Sequence, residues 1–331
     1  MRVVNFKKYT NFLTYEFKVI AIVRILSATL QLFYLKLYTQ NLSNNNLGNF
    51  ALWISVSYIL NAAIFVPLDY YQQSRIYPFK ASGKSLISFV FFNFKIFCIV
   101  IFLTIIVFIG LYKFNITEKY FFILSVFTAI GLYLTTSLKN VLNNSEFKIT
   151  ASLMQPIEVF LKIIIFYILI INVEASSISL MLSQALSFFI VILLLILVSR
   201  KYRIFNSGLY TRLNMREILI FCYPISIGAI LNLAQLQGYR MFLVPLGYEN
   251  IVGIYFGITQ VGIAIMGLLS IIYFSIYSPI IYKSNGEYIW KFIKNALILI
   301  LFTLAVTMLT SYWLILLLTK EEFAKIGRAH V

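Results

Sequence analysis

Glu158 and Lys162 lie four residues apart inside the apolar run 153–172. On a helix that spacing puts both on one face, with the acid first, the favourable order for an ion pair. A charge at bilayer depth costs about 2.5–3.5 kcal/mol, so each needs a partner, a wet cavity or a route to the headgroups. The pair therefore either neutralises itself toward a bundle interior or acts as a proton- or ion-linked switch, because protonating the acid leaves the lysine uncompensated. Arg24 falls about 10 Å into the first apolar run at the helical rise per residue. A guanidinium there can grip phosphate oxygens in a bidentate manner, or snorkel to the headgroups. Lys95, without a local acid, poses the same choice between anion contact and snorkelling. Asp69, just past Pro67, reads as a solvated helix end or as a gate acid facing a basic neighbour. Arg240, after Gln235, Gln237 and Tyr239, reads as the one basic residue of its loop.

Other chemistry lacks its residues. Gly83-Lys84-Ser85 has neither the upstream glycine nor the strand of a phosphate-binding loop, and no HExxH or GxSxG occurs. Cys98 and Cys222 have no CxxC spacing and read as apolar filler. No metal-ligating cluster and no cofactor motif is present, and the expectation is a transporter rather than an enzyme.

The elements that must position these charges are membrane helices. Of 331 residues, 61% are hydrophobic and 11% charged, too few charges to clothe a soluble domain, where roughly 25% is usual. Nine apolar windows reach the length of a bilayer crossing: 17–39, 48–68, 87–111, 120–141, 153–172, 176–198, 217–236, 251–278 and 293–318. The formal charge of +16 would suggest nucleic acid in a soluble protein, but here the basic residues gather between spans. With the N-terminus placed inside, 17 basic residues fall on cytoplasmic loops and span ends against 5 outside, which fits the positive-inside rule. The run 19–37 is too long for a signal-peptide core and reads as the first helix.

The basic segment 200–216 is the expected boundary between two lobes, residues 1–199 with six helices and 217–325 with three helices of an incomplete second lobe. A faint internal echo agrees: Leu47-Gly48-Asn49-Phe50 and Val252-Gly253-Ile254-Tyr255 each place a glycine two residues before an aromatic at a helix start. Residues 326–331 resemble translated sequencing adapter, so His330 is expected to be non-native and the natural protein to continue past Lys325.

Arg24-Ile25-Leu26-Ser27, Leu47-Gly48-Asn49-Phe50, Gln155-Pro156-Ile157-Glu158, Tyr223-Pro224-Ile225-Ser226 and Val252-Gly253-Ile254-Tyr255 follow one another in an order that resembles the polysaccharide and O-antigen flippases of the MATE-like MOP superfamily. The resemblance covers nearly the whole chain. It implies an all-α integral membrane protein with a MATE-like helical bundle, truncated at its C-terminus, in the bacterial cytoplasmic membrane. It further implies translocation of undecaprenyl-pyrophosphate-linked oligosaccharide by alternating access, membrane lipids as surroundings and the polysaccharide polymerase and export machinery as partners. Under that implication Arg24, Lys95 and Arg240 are candidates for cargo contact, with Arg240 assisting release of an anionic sugar. Glu158, Lys162 and Asp69 are candidates for ion coupling or gating. Pro224, Gly253 and Gly257 are hinge candidates, although helix packing is the simpler role for the glycines. A small-molecule exporter of the same fold would want acids where the cations stand, and a membrane-embedded polymerase or transferase would need a catalytic acid or base in an outer loop.

Overall fold

The computed structural model describes residues 6–113, 119–145, 147–205, 208–263, 273, 289–320 and 323. These residues are almost all helical, and the only strand-like pairing among them is a single bridge between Lys84 and Leu209. The helices are α1 (Phe6–Asn41), α2 (Asn44–Leu60), α3 (Val66–Ala81), α4 (Ile87–Lys113), α5 (Lys119–Asn144), α6 (Lys148–Asn172), α7 (Ser177–Lys201), α8 (Met215–Leu243) and α9 (Ile289–Leu318). A further helical stretch covers 249–263.

Eight segments among the described residues are long and apolar enough to cross a membrane, and they coincide with eight of the nine expected windows. The remaining window, 251–278, lies outside the described residues from 264 onward except for residue 273. The chain is an all-α, multi-pass membrane protein. Bare apolar faces fit that solvent: α4 presents Phe94, Ile99, Phe102 and Ile106 outward, a surface suited to lipid tails and not to water.

α2 and α3 form one rod joined by a π-helical turn, Asn61–Phe65. Pro67 explains the turn. It has no N–H to donate and its ring crowds the carbonyl one turn back, so the helix widens and Val66 N–H bonds Asn61 O instead. The second span therefore does not stop near Pro67 as the sequence suggested; it continues to Ala81. α7 starts on Ser176, whose hydroxyl accepts from Ser179 N at 3.2 Å, and α8 on Asn214, which accepts from Arg216 N at 3.1 Å.

The chain divides into two compact units, Asn44–Gly253 and a second formed by Met1–Ser43 with Ile254–Val331. The sequence placed a boundary at 200–216, whereas here α8 packs on α2 and α3 inside the first unit. Within that unit α5 is central, contacting α2, α3, α4, α6 and α7. In the second unit α1 packs on α9; Thr39 and Lys320 tie their ends together, the latter donating to Leu42 O at 2.6 Å.

The segment 200–216 is itself fastened to the α3–α4 turn. Leu209 N donates to Gly83 O and Ser85 N to Leu209 O, both at 2.9 Å, and Thr211 N donates to the Ser88 hydroxyl at 3.0 Å. Gly208 sits at φ +103°, where a Cβ would lie within 2.7 Å of the 83–85 backbone, so only glycine fits this crossing.

Gly48 and Gly253 make a reciprocal contact. A Cβ on Gly48 would strike the carbonyl of Glu249, and one on Gly253 the carbonyl of Asn44. The two echoed sequence motifs thus lie against each other through their glycines. Gly257 lies against the Phe323 ring, where a Cβ would come within 2.6 Å. Both glycines serve close packing in this arrangement.

Candidate functional site

The polar interior of the Asn44–Gly253 unit is built along α5. Successive turns of this helix carry Tyr133, Ser137, Lys139 and Asn140, so that it turns polar groups toward α3 and α4 as well as toward α6.

On the α6 side, Glu158 is 7% exposed and accepts from two lysines, Lys162 Nζ at 2.8 Å and Lys139 Nζ at 3.0 Å. Lys162 also lies 4.4 Å from the centroid of the Phe188 ring on α7, a cation–π contact. The expected pair is present and has a third member. That member, Lys139, belongs to α5 and reaches inward to the acid. Its signal was the three-residue turn between α5 and α6: so short a hairpin forces the helices antiparallel, and a long lysine stem covers the remaining offset.

Arg240 is a further buried cation of this unit. It does not lie in an outer loop: α8 continues to Leu243, and Arg240 is 4% exposed inside the bundle. Its Nη1 donates to the Ser55 hydroxyl on α2 at 3.0 Å, and its Nε to the Tyr239 hydroxyl at 3.1 Å. Two lysines, Lys139 and Lys162, share one carboxylate, Glu158.

On the α3 side, Asp69 is 7% exposed and neither solvated nor facing a basic residue. Its Oδ2 accepts from Gln73 Nε2 at 2.7 Å and Asn140 Nδ2 at 2.8 Å, and no lysine or arginine bonds it among the described residues. The reading of Asp69 as a helix end fails because the rod carries on past it. Next to it, Gln72 Nε2 donates to Tyr133 Oη at 2.7 Å and Asn93 Oδ1 at 2.8 Å; Tyr133 donates to Asn93 Oδ1 and Ser137 to Gln72 Oε1. Sequence reasoning missed this network entirely. Isolated Gln, Asn and Tyr residues in apolar windows carry no spacing signal, and only the α3–α4–α5 packing brings them together. A cavity of about 30 Å³ adjoins Gln72, Asn93 and Ser137, room for one water.

The remaining candidates lie apart. Lys95 is exposed on α4 and lines a surface cavity with Arg212. Arg24, on α1 in the other unit, is half-buried, and its Nε is buried without a hydrogen-bond partner among the described residues. Pro224 is exposed on α8, which continues as helix through it. Cys98 is exposed and Cys222 buried, both as free thiols. Arg75 of α3 and Glu217 of α8 form an ion pair at the base of the bundle, with Tyr71 Oη donating to the same carboxylate. No protein-family model, curated protein or solved structure matches the chain.

Proposed function

We propose that the chain is a membrane transporter that flips an anionic lipid-linked oligosaccharide between leaflets, the cargo class being an isoprenoid pyrophosphate carrying a surface-polysaccharide repeat unit. The observation that supports this most is the excess of cations around Glu158. Lys139 and Lys162 outnumber the one carboxylate they share in a setting where an uncompensated charge is costly. A passing diphosphate would complete the balance, and the guanidinium of Arg240 suits its oxygens. In the other unit Arg24, with an unsatisfied Nε inside its own span, is a separate candidate for phosphate contact. The ordered motifs from Arg24 to Tyr255 agree with the MATE-like flippase resemblance. On this reading the protein works in the bacterial cytoplasmic membrane beside the polymerase and export machinery, with its N-terminus inside.

The test is a leaflet-accessibility assay in proteoliposomes containing a fluorescent polyprenyl-pyrophosphate oligosaccharide. Protein should speed equilibration between leaflets well above protein-free liposomes, and Arg240→Gln should remove most of the gain. Equilibration no faster than in empty liposomes overturns the proposal.

One observation favours a second reading, a MATE-like small-molecule exporter: Asp69 is a buried carboxylate whose bonded partners among the described residues are all neutral, a place where a cation could be taken up. Uptake of a cationic dye into inside-out vesicles, abolished by Asp69→Asn and indifferent to Arg240→Gln, would select it.

A further inference from the structure

The cavity between α4 and the segment leading into α8 has a different character from the bundle interior. It holds about 120 Å³, the share of roughly four waters, and opens on the protein surface. Lys95 and Arg212 line it from opposite walls, with Ser88 and Leu213, and Phe91 and Tyr210 close one side in an edge-to-face pair at 5.8 Å. Neither cation is in an ion pair among the described residues. Glu217, the nearest acid in sequence to Arg212, is engaged by Arg75. The wall carrying Arg212 is held in place by the 83–85 turn and by Ser88, so the cavity is part of the fold and not a chance meeting of surface side chains. Above Lys95, the outward face of α4 is bare apolar surface formed by Phe94, Ile99 and Phe102.

We propose that this cavity is a binding site for the headgroup of an anionic phospholipid: the phosphate sits between Lys95 and Arg212, and the acyl chains lie along α4. Two cations in one surface pocket answer one phosphate, the aromatic wall includes Tyr210, an amphipathic ring of the kind that borders headgroups, and the adjoining helix face supplies what acyl chains need. Lys95 is then a structural lipid ligand and not a contact for translocated cargo. The site stands whether or not the chain is a flippase.

The experiment uses the full chain in a neutral detergent, titrated separately with phosphatidylglycerol, phosphatidylcholine and inorganic phosphate, with bound lipid counted by native mass spectrometry and thermal stability read in parallel. Phosphatidylglycerol should bind at one saturable site and raise stability; phosphatidylcholine and inorganic phosphate should not. Lys95→Ala with Arg212→Ala should weaken the lipid roughly 30-fold, since each cation near an anionic surface contributes about one kcal/mol. The charge-keeping pair Lys95→Arg and Arg212→Lys, and the nearby control Arg200→Ala with Lys201→Ala, should stay within about threefold. If the double alanine variant fails to fold, Lys95→Gln and Arg212→Gln singly should each weaken binding about fivefold. Wild-type affinity in the alanine or glutamine variants, an equal loss in the Arg200 and Lys201 control, or equal occupancy by inorganic phosphate would each overturn the proposal.

Discussion

Glu158 is the residue on which the interior charge balance turns. Replacing it with Gln leaves Lys139 and Lys162 facing each other with no carboxylate between them, and breaking a buried ion pair from one side costs about 3–5 kcal/mol. Glu158→Gln should therefore lower the thermal midpoint in detergent markedly. Lys162→Met, which leaves one lysine on the acid, should cost much less. Equal loss in the two variants would contradict a carboxylate shared by two lysines. Tyr133→Phe tests the second network. It removes the hydroxyl that accepts from Gln72 and donates to Asn93, and should cost about 1–3 kcal/mol, the usual penalty for leaving buried polar groups underused. At this scale the Glu158–Lys162 pair was legible because its partners lie one helical turn apart. Lys139 was legible only through the short α5–α6 turn, and Asp69 with Asn140 and Gln72 with Asn93 were not legible at all, because each partner comes from another helix and sequence spacing says nothing of which faces meet.

Elements meet most closely where Gly48 and Gly253 pass each other's backbones. Gly48→Leu or Gly253→Leu should prevent close approach of the two helix starts and reduce the yield of folded, monodisperse protein, whereas Gly110→Leu, open on its helix, should be tolerated. Size-exclusion profiles of the three variants decide it. The same motifs were visible in the sequence as an echo, but their mutual contact was not. Helix ends were the weakest part of the reading. Proline followed by aspartate looked like a stop at Pro67, yet a π turn absorbs the missing donor and the rod runs on to Ala81. Gln235, Gln237 and Arg240 diluted the apolar window and turned the last two turns of α8 into an apparent loop. Asp69 and Arg240, which seemed to mark the ends of their spans, are both buried inside the bundle.

For the whole molecule, run length and hydropathy were enough to give the membrane class and eight spans, because a bilayer sets one length for every crossing. How α8 associates was not readable, since packing on α2 and α3 depends on faces and not on charge runs. The loop carrying Arg203 is expected on the cytoplasmic side. In a variant with Cys98 and Cys222 replaced by Ser, Arg203→Cys should react with a membrane-impermeant maleimide in inside-out vesicles and not in right-side-out ones; the reverse labelling would invert the whole topology. The strap joining the α3–α4 turn to residues 208–211 bears on how the protein is made. Ser88 and its partner Thr211 are 123 residues apart, so at about 5–20 residues per second the ribosome needs roughly 6–25 s after α4 begins before the strap's second half exists. For that interval α4 stands in the bilayer with Lys95 and Ser88 uncovered, while three more helices are synthesised beside it. Whatever settles against Lys95 does so early, and the later strand of backbone closes over a seat already taken.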